Sequence, residues 1–232
     1  MLFRSPLHCL LRSFPLLSPP LVLETISPTL IAPWERHIQP TTTVTLTKDL
    51  AANAHQRLLA SAPPSSIFLY SDGSLLEGSV GAGVAVRLTK EDKEGEAGVV
   101  YRELYKGLGQ QQTVYAGELG GITIALAALH ANGTQQPYPD TPYAAHLLID
   151  NQSAVLGTCD PFKGPGQHQR LANRSLYLQI GRDLPHIDLQ IHWVPGHVEI
   201  EGNERADVLA KKGAALRFKE AVGAGEAGEK DE

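Results

Sequence analysis

The chain has 232 residues, of which 42% are hydrophobic and 19% are charged, so it can form one full domain with flanking segments but not two large domains. It contains no run of eighteen apolar residues, which argues against a membrane span, and its two cysteines lack the CxxC spacing of a zinc site or disulfide framework, which fits a reducing compartment. The formal net charge of −5 excludes nucleic-acid binding through bulk positive charge.

Residues 1–65 differ in composition from the rest of the chain. Prolines recur at short intervals, which predicts a loosely structured Pro-rich connector with one short helix over residues 47–61. The first 23 residues contain Arg4 and Arg12 but no acid, so mitochondrial import is an alternative. Because the prolines interrupt the amphipathic helix that an import signal needs, we favour the nucleus or the cytoplasm.

A regular pattern of predicted elements begins at Ser66. The apolar run SIFLYSDGS predicts a strand that ends in a turn at Asp72-Gly73-Ser74. A second strand is predicted over residues 79–88, a charged turn over 90–96 and a third strand over 99–105. These three strands form an antiparallel meander.

Helices and strands alternate in the remainder. Apolar residues at helical spacing predict a helix that is capped by Thr113 and ends at Leu129. A strand over 144–149, a short helix, a Gly/Pro-rich loop, a helix through Ile180, a strand over 187–194 and a helix over 201–213 follow. The order β-β-β-α-β-α-α-β-α predicts an α/β fold, a mixed sheet with helices packed on it, over residues 66–214. Residues 215–232 are small and acidic, which predicts a disordered tail.

Four acids stand where ordinary folding does not require them. Asp72 and Asp150 each follow an apolar strand at the centre of the predicted sheet, so their carboxylates can meet. Glu118 and Asp207 border the packed stripes of two helices. Crowded carboxylates repel one another and need a cation, and hard oxygen ligands suit Mg²⁺ or Mn²⁺. A two-metal site of this kind cleaves phosphodiesters without a nucleophilic side chain.

Four sequence blocks resemble the type 1 ribonuclease H family in order and context: YSDGS at 70–74, AGEL at 116–119, LLIDNQSA at 147–154 and HWVPGHVEIEGNERADVLAKKGA at 192–214. The closest likeness is to ribonuclease H domains of fungal LINE-type retrotransposon polyproteins. The N-terminal strings SPLHCLLRSFP and APWERH resemble the connector that precedes such domains, downstream of a reverse transcriptase.

The resemblance implies a fold and a set of site residues. The fold is a five-stranded mixed sheet, three strands antiparallel and two parallel, flanked by helices. Asp72, Glu118, Asp150 and Asp207 would hold two Mg²⁺ ions, with Mn²⁺ as a substitute. His197 would be the mobile histidine that assists product release or proton movement. The implied substrate is an RNA–DNA hybrid, read through its 2′-hydroxyl groups; we expect its contacts to involve Gly73, Ser74, Asn151 and Asn203. We expect a monomer, with a reverse transcriptase as the partner in a parent polyprotein.

A second hypothesis stays open at the level of sequence. Each acid alone could be a turn, cap or surface residue. The family's basic protrusion is absent, and the turn between Lys90 and Gly98 is acidic. The alternative is therefore a non-catalytic remnant or hybrid-binding module of a retroelement that has kept the fold.

Overall fold

The computed structural model describes Ile26, Ile38, Thr41 and residues 47–91, 97–135 and 143–226. The helices and strands, numbered in chain order, are α1 (Lys48–Ser61), β1 (Ile67–Leu76), β2 (Ser79–Glu91), β3 (Ala97–Gly109), α2 (Val114–Gln135), β4 (Tyr143–Ile149), α3 (Gln152–Cys159), α4 (Gln167–Asp183), β5 (Ile187–Trp193) and α5 (Glu201–Glu226).

The five strands form one mixed sheet in the order β3-β2-β1-β4-β5. The first three strands pair antiparallel, whereas β4 pairs parallel with β1 and β5 pairs parallel with β4. The topology confirms the predicted fold class. The register places Ile149, the last residue of β4, opposite Ser71, so the next residues, Asp72 and Asp150, lie side by side.

The strand β1 is longer than predicted. The sequence predicted a turn at Asp72-Gly73-Ser74, but these residues continue the strand and pair with β2, Asp72 opposite Gly83. The turn falls at Glu77 and Gly78, which have φ values of +49° and +79°. Consecutive residues with positive φ are typical of tight hairpin turns. The predicted turn over residues 90–96 lies mostly outside the described residues.

Two apolar cores lie on the two faces of the sheet. The larger core lies beneath α2, α3 and α4 and includes Ala51 of α1, and the smaller one lies beneath α5 and the second half of α1. Helix α5 approaches β2 closely, because a Cβ on Gly83 would overlap backbone atoms of Ala206 and Ala210. Glycine at position 83 therefore allows the backbones of the helix and the strand to pack together.

Helix α2 is long and apolar enough to cross a membrane by length and composition alone. Its side chains Leu119, Ile122 and Leu126 are buried in the larger core, and its capping residue Thr113 accepts a hydrogen bond from the backbone nitrogen of Ala116 at 3.1 Å, as predicted. Such a pattern is that of a core helix.

The predicted short N-terminal helix is present as α1. The side chain of Thr47 accepts a hydrogen bond from the backbone nitrogen of Leu50, and the helix packs on the sheet through Ala51 and through His55, whose Nε2 lies 2.9 Å from the Tyr70 hydroxyl. A residue that precedes α1 also contacts the sheet: the backbone nitrogen of Thr41 donates to the carbonyl of Ile191 in the outer strand β5 at 2.8 Å.

Two further histidines are buried near α1. His146 Nδ1 and His192 Nε2 lie 3.1 Å apart, and the His146 ring stacks on Phe68. A direct contact of this kind requires one ring to donate and the other to accept, so at least one of the two histidines is neutral.

The last helix extends further than predicted. The sequence predicted its end at Gly213 and a disordered tail from residue 215, but α5 continues to Glu226. Residues 214–220 include Ala, Leu, Arg, Lys and Glu, which favour helix, and the prediction gave too much weight to the small and acidic residues of this segment. Residues 227–232 lie outside the described part of the chain.

Candidate active site

Three of the four predicted acids converge at one edge of the central strands. Asp72 lies within β1, Glu118 in the first turns of α2 and Asp150 directly after β4. Each carboxylate offers an oxygen, and the three oxygens lie within 4.8 Å of one another. Asp72 and Glu118 are both only 7% exposed, so the cluster is held in the protein rather than displayed on its surface.

Close contact between β1 and α2 brings Glu118 to Asp72. A Cβ on Gly73 would overlap the backbone of Gly117 and Glu118, and a Cβ on Gly121 would lie 3.0 Å from the carbonyl oxygen of Asp72. Glycine at these positions allows the helix to rest on the strand backbone, which side chains would otherwise prevent.

Hydrogen bonds orient the three carboxylates. The backbone nitrogen of Gly73 donates to Asp72 Oδ1 at 2.6 Å, and Asn203 Nδ2 donates to Asp150 Oδ2 at 3.2 Å. Glu118 receives hydrogen bonds from the Asn151 side chain and the Gly73 backbone. Trp193 Nε1 donates to the Asp150 carbonyl at 2.9 Å, which fixes the backbone at the end of β4.

The cluster is electrostatically unfavourable without a cation. Burial, followed by the charge of Asp150, raises the pKa of Asp72 to about 7. Burial and the charge of Asp72 raise the pKa of Glu118 to about 9, and burial also raises the pKa of Asp150. Glu118 Oε2 is buried without a hydrogen-bond partner among the described residues. Three crowded carboxylates with an unpartnered buried oxygen form a donor set that suits a hard divalent cation.

The fourth predicted acid, Asp207, lies beside this triad but is not part of it. Its charge contributes to the raised pKa values of Asp72 and Asp150. Its Oδ2 lies 2.6 Å from Lys211 Nζ, one helical turn further on. The structure therefore gives Asp207 a lysine partner within its own helix.

The predicted histidine lies on the loop between β5 and α5. His197 is exposed and has a φ of +58°, a value that is uncommon for residues other than glycine. Its charge lowers the pKa of Asp150 against the larger effect of burial. Its neighbour Gly196 lies against Asp150, since a Cβ there would lie 2.8 Å from Asp150 Oδ2.

Three of the predicted substrate-binding residues lie beside the triad, and the fourth, Asn203, is buried. Gly73 and Ser74 are half-buried in β1, next to the triad. Asn151 caps α3, where its Oδ1 accepts from the backbone nitrogen of Ala154 at 3.0 Å, and it also binds Glu118. Asn203 is only 3% exposed and donates to Asp150, so its side chain orients a carboxylate instead of facing solvent.

Sequence reasoning missed two cationic side chains. It did not pair Lys211 with Asp207, although the i, i+4 spacing was an available signal. It did not single out Arg170, which is fully buried, stacks on Phe162 with its Cζ 3.7 Å from the ring centroid and donates through Nη2 to the Gly164 carbonyl. No spacing signal identifies such a loop contact.

The sheet order and the cluster of carboxylates beside its two central strands are those of a ribonuclease H-like fold. The RNase H family model matches residues 64–215, more than half of the chain. The chain therefore belongs to the RNase H family.

The chain is similar to a curated relative and to a number of solved structures, among them the two that follow. A ribonuclease H from Polynucleobacter asymbioticus is 30% identical over 100 residues, which cover 41% of this chain and 60% of that protein; the chain thus matches less than two thirds of the relative's length. The N-terminal RNase H domain of Rv2228c from Mycobacterium tuberculosis is 19% identical, with a TM-score of 0.49 over 68% of this chain and 99% of that one. RNase H1 from the halophilic archaeon Halobacterium salinarum is 21% identical, with a TM-score of 0.46 over 65% of this chain and 98% of that one.

Proposed function

We propose that the chain is a metal-dependent endonuclease that hydrolyses the RNA strand of RNA–DNA hybrids. The observation that carries the proposal is the convergence of Asp72, Glu118 and Asp150, with their oxygens within 4.8 Å of one another. Folding gains nothing from burying three like charges together, and a catalytic cation site explains the arrangement. Membership of the RNase H family supports the same reaction.

The donor set fits Mg²⁺, with Mn²⁺ as a substitute. Asp72, Glu118 and Asp150 would hold the first ion, and Asp207 would join them for a second. When bound, the ions activate a water molecule and stabilise the charge on the phosphate. The raised pKa values of Asp72 and Glu118 favour their protonated forms. Both carboxyl groups must therefore lose their protons when a metal ion binds.

The remaining residues prepare the site for the reaction. Asn203 and Asn151 hold Asp150 and Glu118 in their orientations, so that less rearrangement is needed on binding. His197 stands exposed beside Asp150, where its imidazole would move a proton or assist the departure of the product.

Recognition of the hybrid would rely on contacts near the cluster. Gly73, Ser74 and Asn151 lie next to the carboxylates, where backbone and amide groups can contact the 2′-hydroxyls of the RNA strand. Because the net charge is −5, the attraction of phosphates depends on the bound ions, and we expect the affinity to be weak and sensitive to salt.

The finer affiliation is also a proposal. The four sequence blocks and the Pro-rich N-terminal segment resemble ribonuclease H domains of fungal LINE-type retrotransposons, which implies a reverse transcriptase as the original partner. We propose a monomer that acts in the nucleus or the cytoplasm. Reverse-transcriptase motifs in the genomic DNA upstream of the coding region would support this origin, and their absence there, together with an unrelated neighbourhood, would count against it.

The test is the cleavage of a labelled RNA–DNA hybrid at low salt with Mg²⁺, Mn²⁺ or EDTA, beside single-stranded RNA and duplex DNA. We expect loss of the RNA strand of the hybrid alone, and only with metal. Asp72→Asn and Asp150→Asn should each lower the rate by about a hundredfold or more, whereas the matched surface variant Asp49→Asn should retain it.

Two outcomes would contradict the proposal. Full activity of Asp72→Asn or Asp150→Asn would remove the site from the reaction. Binding of the hybrid without turnover under any metal would instead support the alternative of a non-catalytic hybrid-binding module.

A further inference from the structure

The fourth carboxylate, Asp207, has a cation built into the protein. Lys211 Nζ lies 2.6 Å from Asp207 Oδ2, at the i, i+4 spacing along α5. The Asp207 side chain is 20% exposed and that of Lys211 is 53% exposed, so the lysine approaches the carboxylate from the solvent side. A lysine ammonium group is charged at neutral pH.

The charge of Lys211 also reaches the triad. It lowers the pKa of Asp72 against the larger opposing effects of burial and Asp150. Lys211 therefore acts on Asp207 by direct contact and on Asp72 through space.

Two other cations of α5, Arg205 and Lys212, point elsewhere. Lys212 Nζ lies 3.6 Å from Glu103 Oε2, and Arg205 contacts Glu103 and Glu201. Consecutive residues on a helix project in different directions, so Lys211 faces the carboxylates while Lys212 faces strand β3. The chain thus supplies its own matched control for a charge on this helix.

We infer that Lys211 is a positioning residue that competes with a divalent cation at Asp207 and so separates the affinities of two metal sites. The inference rests on the proposed function, because it takes the triad as the first metal site. The triad binds its ion without displacing an internal cation. An ion that binds Asp207 must displace the Lys211 ammonium group or share the carboxylate with that group. The positive charge of Lys211 also repels the ion. The second site is therefore weaker than the first, and Lys211 sets the difference.

The experiment is a Mn²⁺ titration of the full chain, followed by the electron paramagnetic resonance signal of free Mn²⁺ in the absence of nucleic acid. Wild type should show one tight and one weak class of sites. Lys211→Met should strengthen the weak class by about threefold or more, the factor expected when an exposed ion pair is removed, and should leave the tight class unchanged. Lys211→Arg, which keeps the charge, and Lys212→Met should both resemble wild type.

The outcomes separate the inference from the proposed function. An unchanged weak class in Lys211→Met, an equal shift in Lys212→Met or a wild type without a weak class would each overturn the role of Lys211. Loss of the tight class in Asp72→Asn tests the triad independently; its retention would refute the proposed metal site whatever Lys211 does. Far-ultraviolet circular dichroism verifies that each variant is folded.

Discussion

The Cα of Gly73 lies so close to the backbone of Glu118 that a single methyl group on it would overlap the Glu118 nitrogen. This contact joins β1, which carries Asp72, to α2, which carries Glu118. The separation of two carboxylates from distant parts of the sequence is thus determined by backbone packing, not by their side chains.

Gly73→Ala is therefore expected to damage the site through the backbone. The added methyl group must push α2 away from β1, which should destabilise the protein by about 1–3 kcal/mol and weaken Mn²⁺ binding at the triad. Urea denaturation and Mn²⁺ titration measure the two effects. Gly181→Ala is the control, because a Cβ at Gly181 in α4 meets no neighbouring atom, and it should stabilise the helix by about 0.5–1 kcal/mol. Wild-type metal binding by Gly73→Ala would show that the contact does not position Glu118.

The metal-free protein should lose stability as the pH rises above 7. The pKa values of Asp72 and Glu118 are raised to about 7 and about 9, so the folded state holds protons that the unfolded state has already released. This contribution to stability is complete below the unfolded pKa values, near 4, and is lost as the pH rises through 7 to 9. One retained proton corresponds to a slope of about 1.4 kcal/mol per pH unit.

Urea unfolding in EDTA at several pH values from 6.5 to 9 measures this slope. Glu118→Gln should flatten it, and the exposed-turn variant Glu77→Gln should not. Saturating Mg²⁺ should reverse the trend, because deprotonated carboxylates bind the ion and binding stabilises the folded state. An identical slope in wild type and Glu118→Gln would contradict the assignment.

Acid should destabilise the protein through its buried histidines. Burial, aided by the charge of Arg87, lowers the pKa of His55 to about 4; burial, aided by His146 and His55, lowers that of His192 to about 4. Below pH 6.5 these two histidines become protonated in the unfolded chain but stay neutral in the folded state. Their contribution is complete above pH 6.5 and is lost as the pH falls towards 4.

Urea unfolding at pH 4.5–6.5 tests this prediction. The free energy of unfolding should change with pH by an amount that corresponds to the uptake of up to one proton for each histidine. His192→Gln should reduce the pH dependence, and the exposed His168→Gln is its control. Because the carboxylate of Asp188 and the amide of Gln190 affect the pKa of the neighbouring His146, the slopes are compared at constant ionic strength. Equal slopes in all three proteins would exclude His192 as a source.

Arg170→Lys should loosen the loop between α3 and α4. The lysine keeps the charge but loses the stack on Phe162 and the geometry of the bond to the Gly164 carbonyl. We expect destabilisation by about 1–3 kcal/mol and faster tryptic cleavage after Lys163, measured by limited proteolysis. Arg182→Lys, at an exposed position of α4, should change neither quantity; unchanged cleavage in Arg170→Lys would show that the loop is held by other contacts.

The sequence was sufficient for the sheet and for the meeting of three carboxylates. Apolar strands followed by Asp72 and Asp150 predict adjacent carboxylates, because parallel neighbours end at the same edge. Helical periodicity around Leu119 placed Glu118 on the border of a buried face. Both inferences depend on local patterns, which a single sequence displays.

Local patterns could not predict contacts between distant segments of the chain. The pairing of His146 with His192 and the contact between His55 and Tyr70 depend on how α1 and three strands pack together, and no spacing reports this. The same holds for Asn203, whose amide turns inward to Asp150. The length of α5 was misjudged for a different reason: composition suggested a tail where helix propensity prevailed.

The hydrogen bond from Thr41 to Ile191 also bears on how the protein avoids self-association. An outer strand presents unpaired carbonyl and amide groups that another chain can use as a template for an added strand. In β5 the carbonyl of Ile191 already accepts a hydrogen bond from the backbone of Thr41. Thr41 precedes residue 64, where the family match begins. A shortened protein that starts at residue 64 would leave this carbonyl of β5 open, and it should aggregate more readily than the full chain.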